Sequence, residues 1–355
     1  MGASIFNVIS VFSAAIGFVG FMQNNLPDDP GPMDSAVRIA VALNGDKGEP
    51  GALRHAAGEA PLINAFNENQ NWCGSSSDDD HQYITSGSFK DMTIWQSRHG
   101  GGPGEQATAL QIIPTTNELC IAYIAQTWAD GTHRGWTGDM GRGCDRDWYY
   151  SNIIVGDDHK PTCTWIDHDH SHGITTAALQ IHMQDFTNLT SDYNHDPRSY
   201  CTWPTMLFRA DAPGYKWTTT GPRPRVQKPK SVEFWDDADA SGSPDRPEND
   251  GVGRNGRRRN GHGRLARRSG SAAFSHLIAS PHGGHSAREL CGSARSHGPD
   301  FLSFDEGIFC DMDAKVHWPL CEGATRDGCY HWETHSLVLG DERQARNYSR
   351  VEEWE

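Results

Sequence analysis

The 355-residue sequence predicts a mainly β protein: an antiparallel, jelly-roll-like β-sandwich, then a disordered linker, then a small disulfide-rich C-terminal module. Three observations predict it. Short runs with period-two patterning recur over residues 35–186, with no sustained helical periodicity. The 38 glycines and 19 prolines supply turns between such runs. Nine cysteines divide into five before and four after a stretch with linker composition.

In chain order, residues 1–22 read as a signal peptide: an apolar run from Ile5 to Met22 ends at the polar, proline-bearing "QNNLPDDP". The run also just reaches spanning length, so an uncleaved anchor is the alternative; a cleaved signal leaves no stable membrane association. Residues 27–215 form the sandwich domain, with strand-like runs "SAVRIAVAL", "GSFKDMTIW", "ATALQIIPT", "LCIAYIAQTW", "WYYSNIIV" and "AALQIHMQDF". In the last, Leu179, Ile181 and Met183 alternate with Gln180, His182 and Gln184, the pattern of a half-buried strand. "ADGT" (129–132) and "GDDHKP" (156–161) read as turns.

Residues 216–270 are a linker of Pro, Gly, Asp, Ser and Arg, too poor in apolar surface to order itself. Within it, "GRNGRRRNGHGRLARR" places seven arginines in a chain of formal net charge −15. Basic clusters on an exposed tether suit a kexin-type processing protease, with Arg259, Arg267 and Arg268 as cleavage residues. A solvated linker and a polyanion patch are the other readings; nucleic acid is disfavoured as a partner because the whole chain is acidic. Residues 271–340 form the Cys-rich module, where Ser286 and Glu289 have capping-box spacing and start a short helix at Ala287 that turns Leu290 and Cys291 inward. Residues 341–355 read as a charged tail.

The nine cysteines suit an oxidising compartment. Cys291, Cys310, Cys321 and Cys329 can close two bridges among themselves, whereas Cys73, Cys120, Cys144, Cys163 and Cys201 must leave one sulfur over. No C-x-x-C pair occurs, which argues against zinc held by thiolates. Sequons at Asn188 and Asn347 agree with secretion and glycosylation.

The stretches "GSFKDMTIW", "CIAYIAQTWADGTHRGWTGDMGRGC", "DWYYSNIIV", "CTWIDHDHSHGITTAALQIHMQDF" and "HSARELCGSARSHGPDFLSFDEGIFCDMDAKVHWPLC" resemble an uncharacterised family of secreted filamentous-fungal proteins, over residues 27–190 and 274–321. The resemblance implies a secretory signal, a β-rich front domain, basic processing sites and a cysteine-bearing tail, and it carries over no catalytic residue.

Candidate chemistry centres on "WIDHDHSHG". On an extended strand Asp167 and Asp169 share one face and His168, His170 and His172 the other, a donor set for calcium or a transition-metal ion. A solvent-exposed loop is the bland alternative. Asp300, Asp305, Glu306, Asp311 and Asp313 supply carboxylates for glycoside hydrolysis only if the fold pairs them. No G-x-S-x-G, P-loop or dinucleotide motif occurs. Trp128 and Trp136 are candidate sugar-stacking residues, the alternative being core positions. The reading of the whole is a secreted, processed, non-enzymatic protein that binds a cell-wall glycan or host surface. The rivals are a metal-assisted hydrolase using residues 167–172 and a carrier for a released C-terminal toxin or signal.

Overall fold

The computed structural model describes residues 25–43, 56–76, 83–96, 106–115, 118–156, 158–186, 197–211, 276–323 and 327–355. Residues 1–22, read as a signal peptide, Asn188 and the expected processing residues Arg259, Arg267 and Arg268 lie outside them.

Strands dominate, and most pairs are antiparallel. One sheet runs Trp148–Tyr149, Cys163–Ile166, Leu119–Thr127, Ser35–Val41, Phe89–Ile94, with His133–Thr137 also paired to Leu119–Thr127. The Leu119–Thr127 strand is buried along its whole length, as a central strand of apolar and β-branched residues should be. "ADGT" closes its hairpin: Asp130 Oδ1 accepts from the Thr132 amide at 2.9 Å, and Gly131 takes φ +78°. A second sheet runs Met206–Arg209, Ala178–His182, Ala109–Ile113, Leu62–Phe66, Trp72–Ser75. Ile63, Leu110, Ile112, Leu179 and Ile181 of this sheet share one buried cluster with Val37, Ile39, Ile121 and Ile124 of the first.

Two strand expectations need correction. "WYYSNIIV" forms a strand only over Trp148–Tyr149, and Ile154 is exposed. "AALQIHMQDF" is a strand over Ala178–His182 followed by a 3-10 turn at Met183–Asp185, and it is buried on both faces: Gln180 and His182 are covered as completely as Leu179. Alternation marks which residues share a face, but cannot say whether the polar face meets water.

The C-terminal part departs further from an all-antiparallel picture. Its main sheet runs Val316–Pro319, Ile308–Asp311, Asp300–Ser303, His276–Ser280, Arg350–Glu353, and His276–Ser280 pairs in parallel with both neighbours. A parallel pair needs a crossover, and the short helix Ala287–Gly292 lies within the one between His276–Ser280 and Asp300–Ser303. The Ser286 side chain accepts from the Glu289 amide at 3.0 Å, and Ala287, Leu290 and Cys291 are buried, as the capping spacing predicts. The Glu289 carboxylate instead meets Arg142. Residues 341–355, read from the sequence as a charged tail, supply the strands Glu342–Ala345 and Arg350–Glu353, with Trp354 buried behind them.

The central strands of this sheet, His276–Ser280, Asp300–Ser303 and Ile308–Asp311, are buried on both faces, as parallel-paired strands require. Leu277, Ala279, Leu302 and Phe309 face a three-stranded sheet of Cys329–His331, Ser336–Leu339 and Glu342–Ala345, while Ile278, Phe301 and Cys310 join the core of the front sheets. The join is a seam of aromatic side chains and backbone bonds. Trp148 donates its amide to the Arg295 carbonyl at 2.9 Å and accepts from the His297 amide at 3.0 Å. Tyr149 donates to the Pro299 carbonyl at 2.9 Å, Trp165 Nε1 to the His297 carbonyl at 2.9 Å, and Tyr150 Oη accepts from the Ser286 amide at 3.0 Å. Phe301 packs edge-on to Tyr149, with 6.2 Å between ring centroids.

Four disulfides join Cys120 to Cys163, Cys144 to Cys201, Cys291 to Cys310 and Cys321 to Cys329, and Cys73 keeps the buried ninth sulfur. The helix Asp139–Gly143 lies directly on strand backbone: a Cβ at Gly138 would stand 2.6 Å from the Ile121 carbonyl oxygen. Gly138→Ala should therefore cost about 1–3 kcal/mol, read as a lowered denaturation midpoint. The unreduced protein should show one reactive thiol per chain only after unfolding, by titration with a thiol reagent with and without denaturant.

Candidate functional site

The site that brings polar and aromatic groups together lies at one edge of the second sheet. Pairing sets His182 opposite Ala109, and Ala109 opposite Phe66, so the end of Ala178–His182 meets the turn that follows Leu62–Phe66. That turn is built by Asn67, whose Oδ1 accepts from the amides of Asn69 at 2.9 Å and Asn71 at 3.0 Å, while Gln70 takes φ +65°. It presents Glu68 to His182, with Nε2 to Oε1 at 2.8 Å. The 3-10 turn after the strand brings Asp185 to the other ring nitrogen, 3.1 Å from Nδ1, and Thr205 donates to Asp185 at 2.8 Å. The imidazole is thus clasped between two carboxylates from opposite sides. Trp203 and Pro204, joined by a cis peptide bond, form the facing wall, and the cleft is lined by Asn67, Glu68, Gln70, Ala109, His182, Trp203 and Pro204. An indole, two primary amides and a half-exposed carboxylate around one small concavity set an apolar surface beside groups that can hydrogen-bond hydroxyls.

The residues singled out from the sequence do not form this site. The 167–172 segment is not a strand: Cys163–Ile166 ends at Ile166, and His170, His172 and Gly173 take φ of +58°, +56° and +81°. The turn forms because Asp167, fully buried, accepts from the Asp169 amide at 3.3 Å. His170 directs both ring nitrogens at carbonyls, Ile174 at 3.1 Å and Ala210 at 2.8 Å, and His172 stands 3.9 Å from Glu118. His168 and Asp169 are exposed. Among the described residues no three His, Cys, Asp or Glu side chains are grouped to hold a metal ion, so the expected calcium or transition-metal set is corrected to a histidine-bearing turn.

Trp128 and Trp136 are core: 1% and 0% exposed, with Nε1 donating to the Ala107 carbonyl and toward Met206 Sδ. They are corrected as ligand-stacking residues. The C-terminal acids are structural. Asp300 accepts from the Met312 amide and Tyr348, Asp311 from the Asp313 and Ala314 amides and from Arg346, and Glu306 from Ser286 and the Arg288 amide. Asn347 is exposed.

No protein-family model and no curated protein matches the chain.

Three buried titratable groups near the seam have displaced pKa values. Burial pushes His285 down to about 2 from 6.5, and His282, Lys160, Arg142 and His159 add to the shift; the ring sits 2.8 Å from Ser280 Oγ and packs on Tyr150. Burial alone would raise Asp139 and Asp147, but hydrogen bonds from His159, Thr162 and Thr137 to the first, and from His297 and Thr175 to the second, more than reverse it and hold both below the usual carboxyl range. The sequence shows none of this, since Asp147 and His297 are 150 residues apart.

All three shifts weaken the fold in acid, in two windows. The unfolded chain takes up the His285 proton first, so that contribution is complete above pH 6.5 and is lost below it at about 1.4 kcal/mol per pH unit. The depressed aspartates contribute above about pH 4, and the contribution is lost as the pH falls through their folded values. Urea denaturation from pH 8 to 2 should show both components, with His285→Gln removing the upper one and Asp147→Asn reducing the lower.

Proposed function

We propose that the protein is a secreted, non-enzymatic interaction protein that binds glycan at a cell wall or host surface through the His182 cleft. The observation that carries this reading is the placement of Trp203 beside Asn67, Gln70 and Glu68, over a histidine already held by two carboxylates. Sugars offer an apolar ring face and a rim of hydroxyls, and this set answers both. His182 Nε2 bonds Glu68 and its Nδ1 stands 3.1 Å from Asp185, so the ring helps to fix Glu68 at the cleft.

Other features support the setting. Four disulfides fit an oxidising, extracellular environment, and among the described residues no helix is long and apolar enough to cross a membrane. The exposed Asn347 sequon is open to glycosylation. The front sheets read best as a jelly-roll-like sandwich, and the resemblance to secreted fungal proteins fits a wall or host surface as the place of action.

The test is retention of the purified protein on insoluble chitin, β-glucan and cellulose. Wild-type protein should be retained on at least one. Trp203→Ala and Glu68→Gln should each weaken retention about tenfold, equivalent to about 1.4 kcal/mol, with Glu68→Gln, whose amide oxygen still accepts from His182, leaving the melting temperature unchanged. Retention on none of the three, or retention indifferent to both substitutions, would overturn the proposal.

A further inference from the structure

We infer that cutting the chain anywhere between Asp211 and His276 leaves a single two-chain molecule, in which the 25–211 and 276–355 pieces stay associated with no covalent link between them. This concerns the seam and is independent of the glycan reading.

Cys120–Cys163 and Cys144–Cys201 lie wholly before the segment, Cys291–Cys310 and Cys321–Cys329 wholly after it, and Cys73 is a buried thiol. A single backbone cut therefore removes the only covalent connection.

Phe301 and Tyr149 belong to one continuous cluster, the two Trp148 backbone bonds form a parallel bridge at Ser296, and the Trp165 indole donates to the His297 carbonyl. The Asp147 carboxylate, 1% exposed, crosses the seam to His297 at 3.0 Å and to Arg295 at 3.7 Å. Arg142 meets Glu289 and lies over the Trp148 ring, 4.6 Å from its centroid. Gly298, at φ +151°, leaves the Tyr149 ring no space for a side chain: a Cβ would stand 2.6 Å from Cδ2. Such closeness, with paired backbone and buried charge, is the construction of a permanent interface rather than of a contact that forms after release. The partner of the Trp148–Tyr150 surface is thus the chain's own C-terminal piece, which is held as half of the fold and not as cargo to be shed.

The test uses the full-length protein with residues 254–259 replaced by the recognition sequence of a site-specific protease. After complete cleavage, denaturing electrophoresis without reductant should give two bands, while size exclusion and native mass spectrometry at neutral pH should give one species containing both pieces. Arg142→Ala should raise the dissociation constant of the cut pieces by about tenfold. Separate elution of the pieces in native buffer would overturn the inference, as would a single unreduced band after complete cleavage. An unchanged dissociation constant in Arg142→Ala would count against this seam as the surface that holds the pieces.

Discussion

The structure depends on the packing of Trp148, Tyr149 and Tyr150 against Phe301 and the backbone around Ser296–Pro299. Each of these rings removes roughly 150–250 Å² from water, and neither side can bury its share alone. The polar tips decide the register of that contact, because Tyr149 Oη, Tyr150 Oη and the Trp165 and Trp148 ring nitrogens each find a partner across the seam. Leaving such groups unpaired in an apolar interior costs about 1–3 kcal/mol apiece. The seam is therefore selective as well as adhesive, and it covers one face of a parallel-paired sheet whose other face is covered by the three-stranded sheet.

Buried carboxylates repeat the same logic within loops. Asp139 collects the Thr162 amide, Thr137 and His159; Asp147 collects the Thr175 amide, its hydroxyl and His297; Asp311 collects two amides and Arg346. In each case one acid gathers donors from turns and strand ends. On the second sheet a different polar device appears. Asn64, Gln111 and Gln180 are directly opposite one another on neighbouring strands, and Asn64 Nδ2 donates to Gln111 Oε1 at 3.0 Å. A one-residue slip would send those amides into the apolar layer, so the row resists misregistration.

The His182 cleft is assembled from three parts of the chain: the 67–71 turn, the end of Ala178–His182 and the Trp203–Pro204 corner. Glu68 and His182 meet across 114 residues because Leu62–Phe66 and Ala178–His182 flank the same strand, Ala109–Ile113. The seam and the cleft lie in different parts of the fold, so binding at one and cohesion at the other can be varied separately.

The local rules in the sequence were sufficient for the turn at "ADGT", for the helix beginning at Ala287 and for the strands at Ser35–Val41, Phe89–Ile94, Ala109–Ile113 and Leu119–Thr127, since each rests on neighbours within a few residues. Cysteine parity likewise left one sulfur over among the first five, which is Cys73. Which face of a strand meets water, which tryptophan is core and which carboxylate meets which histidine are questions about residues far apart in the chain. Trp128 and Trp136 sit within the core while Trp203 lines a cleft, though nothing adjacent to any of the three distinguishes them. Asp167–His172 alternates like a strand yet turns, because the Asp167 side chain can accept from a backbone amide two residues on and thereby competes with sheet pairing. Periodicity records the geometry of one segment, whereas burial and side-chain partners are set only when strands from distant parts of the chain pair and their faces close on one another.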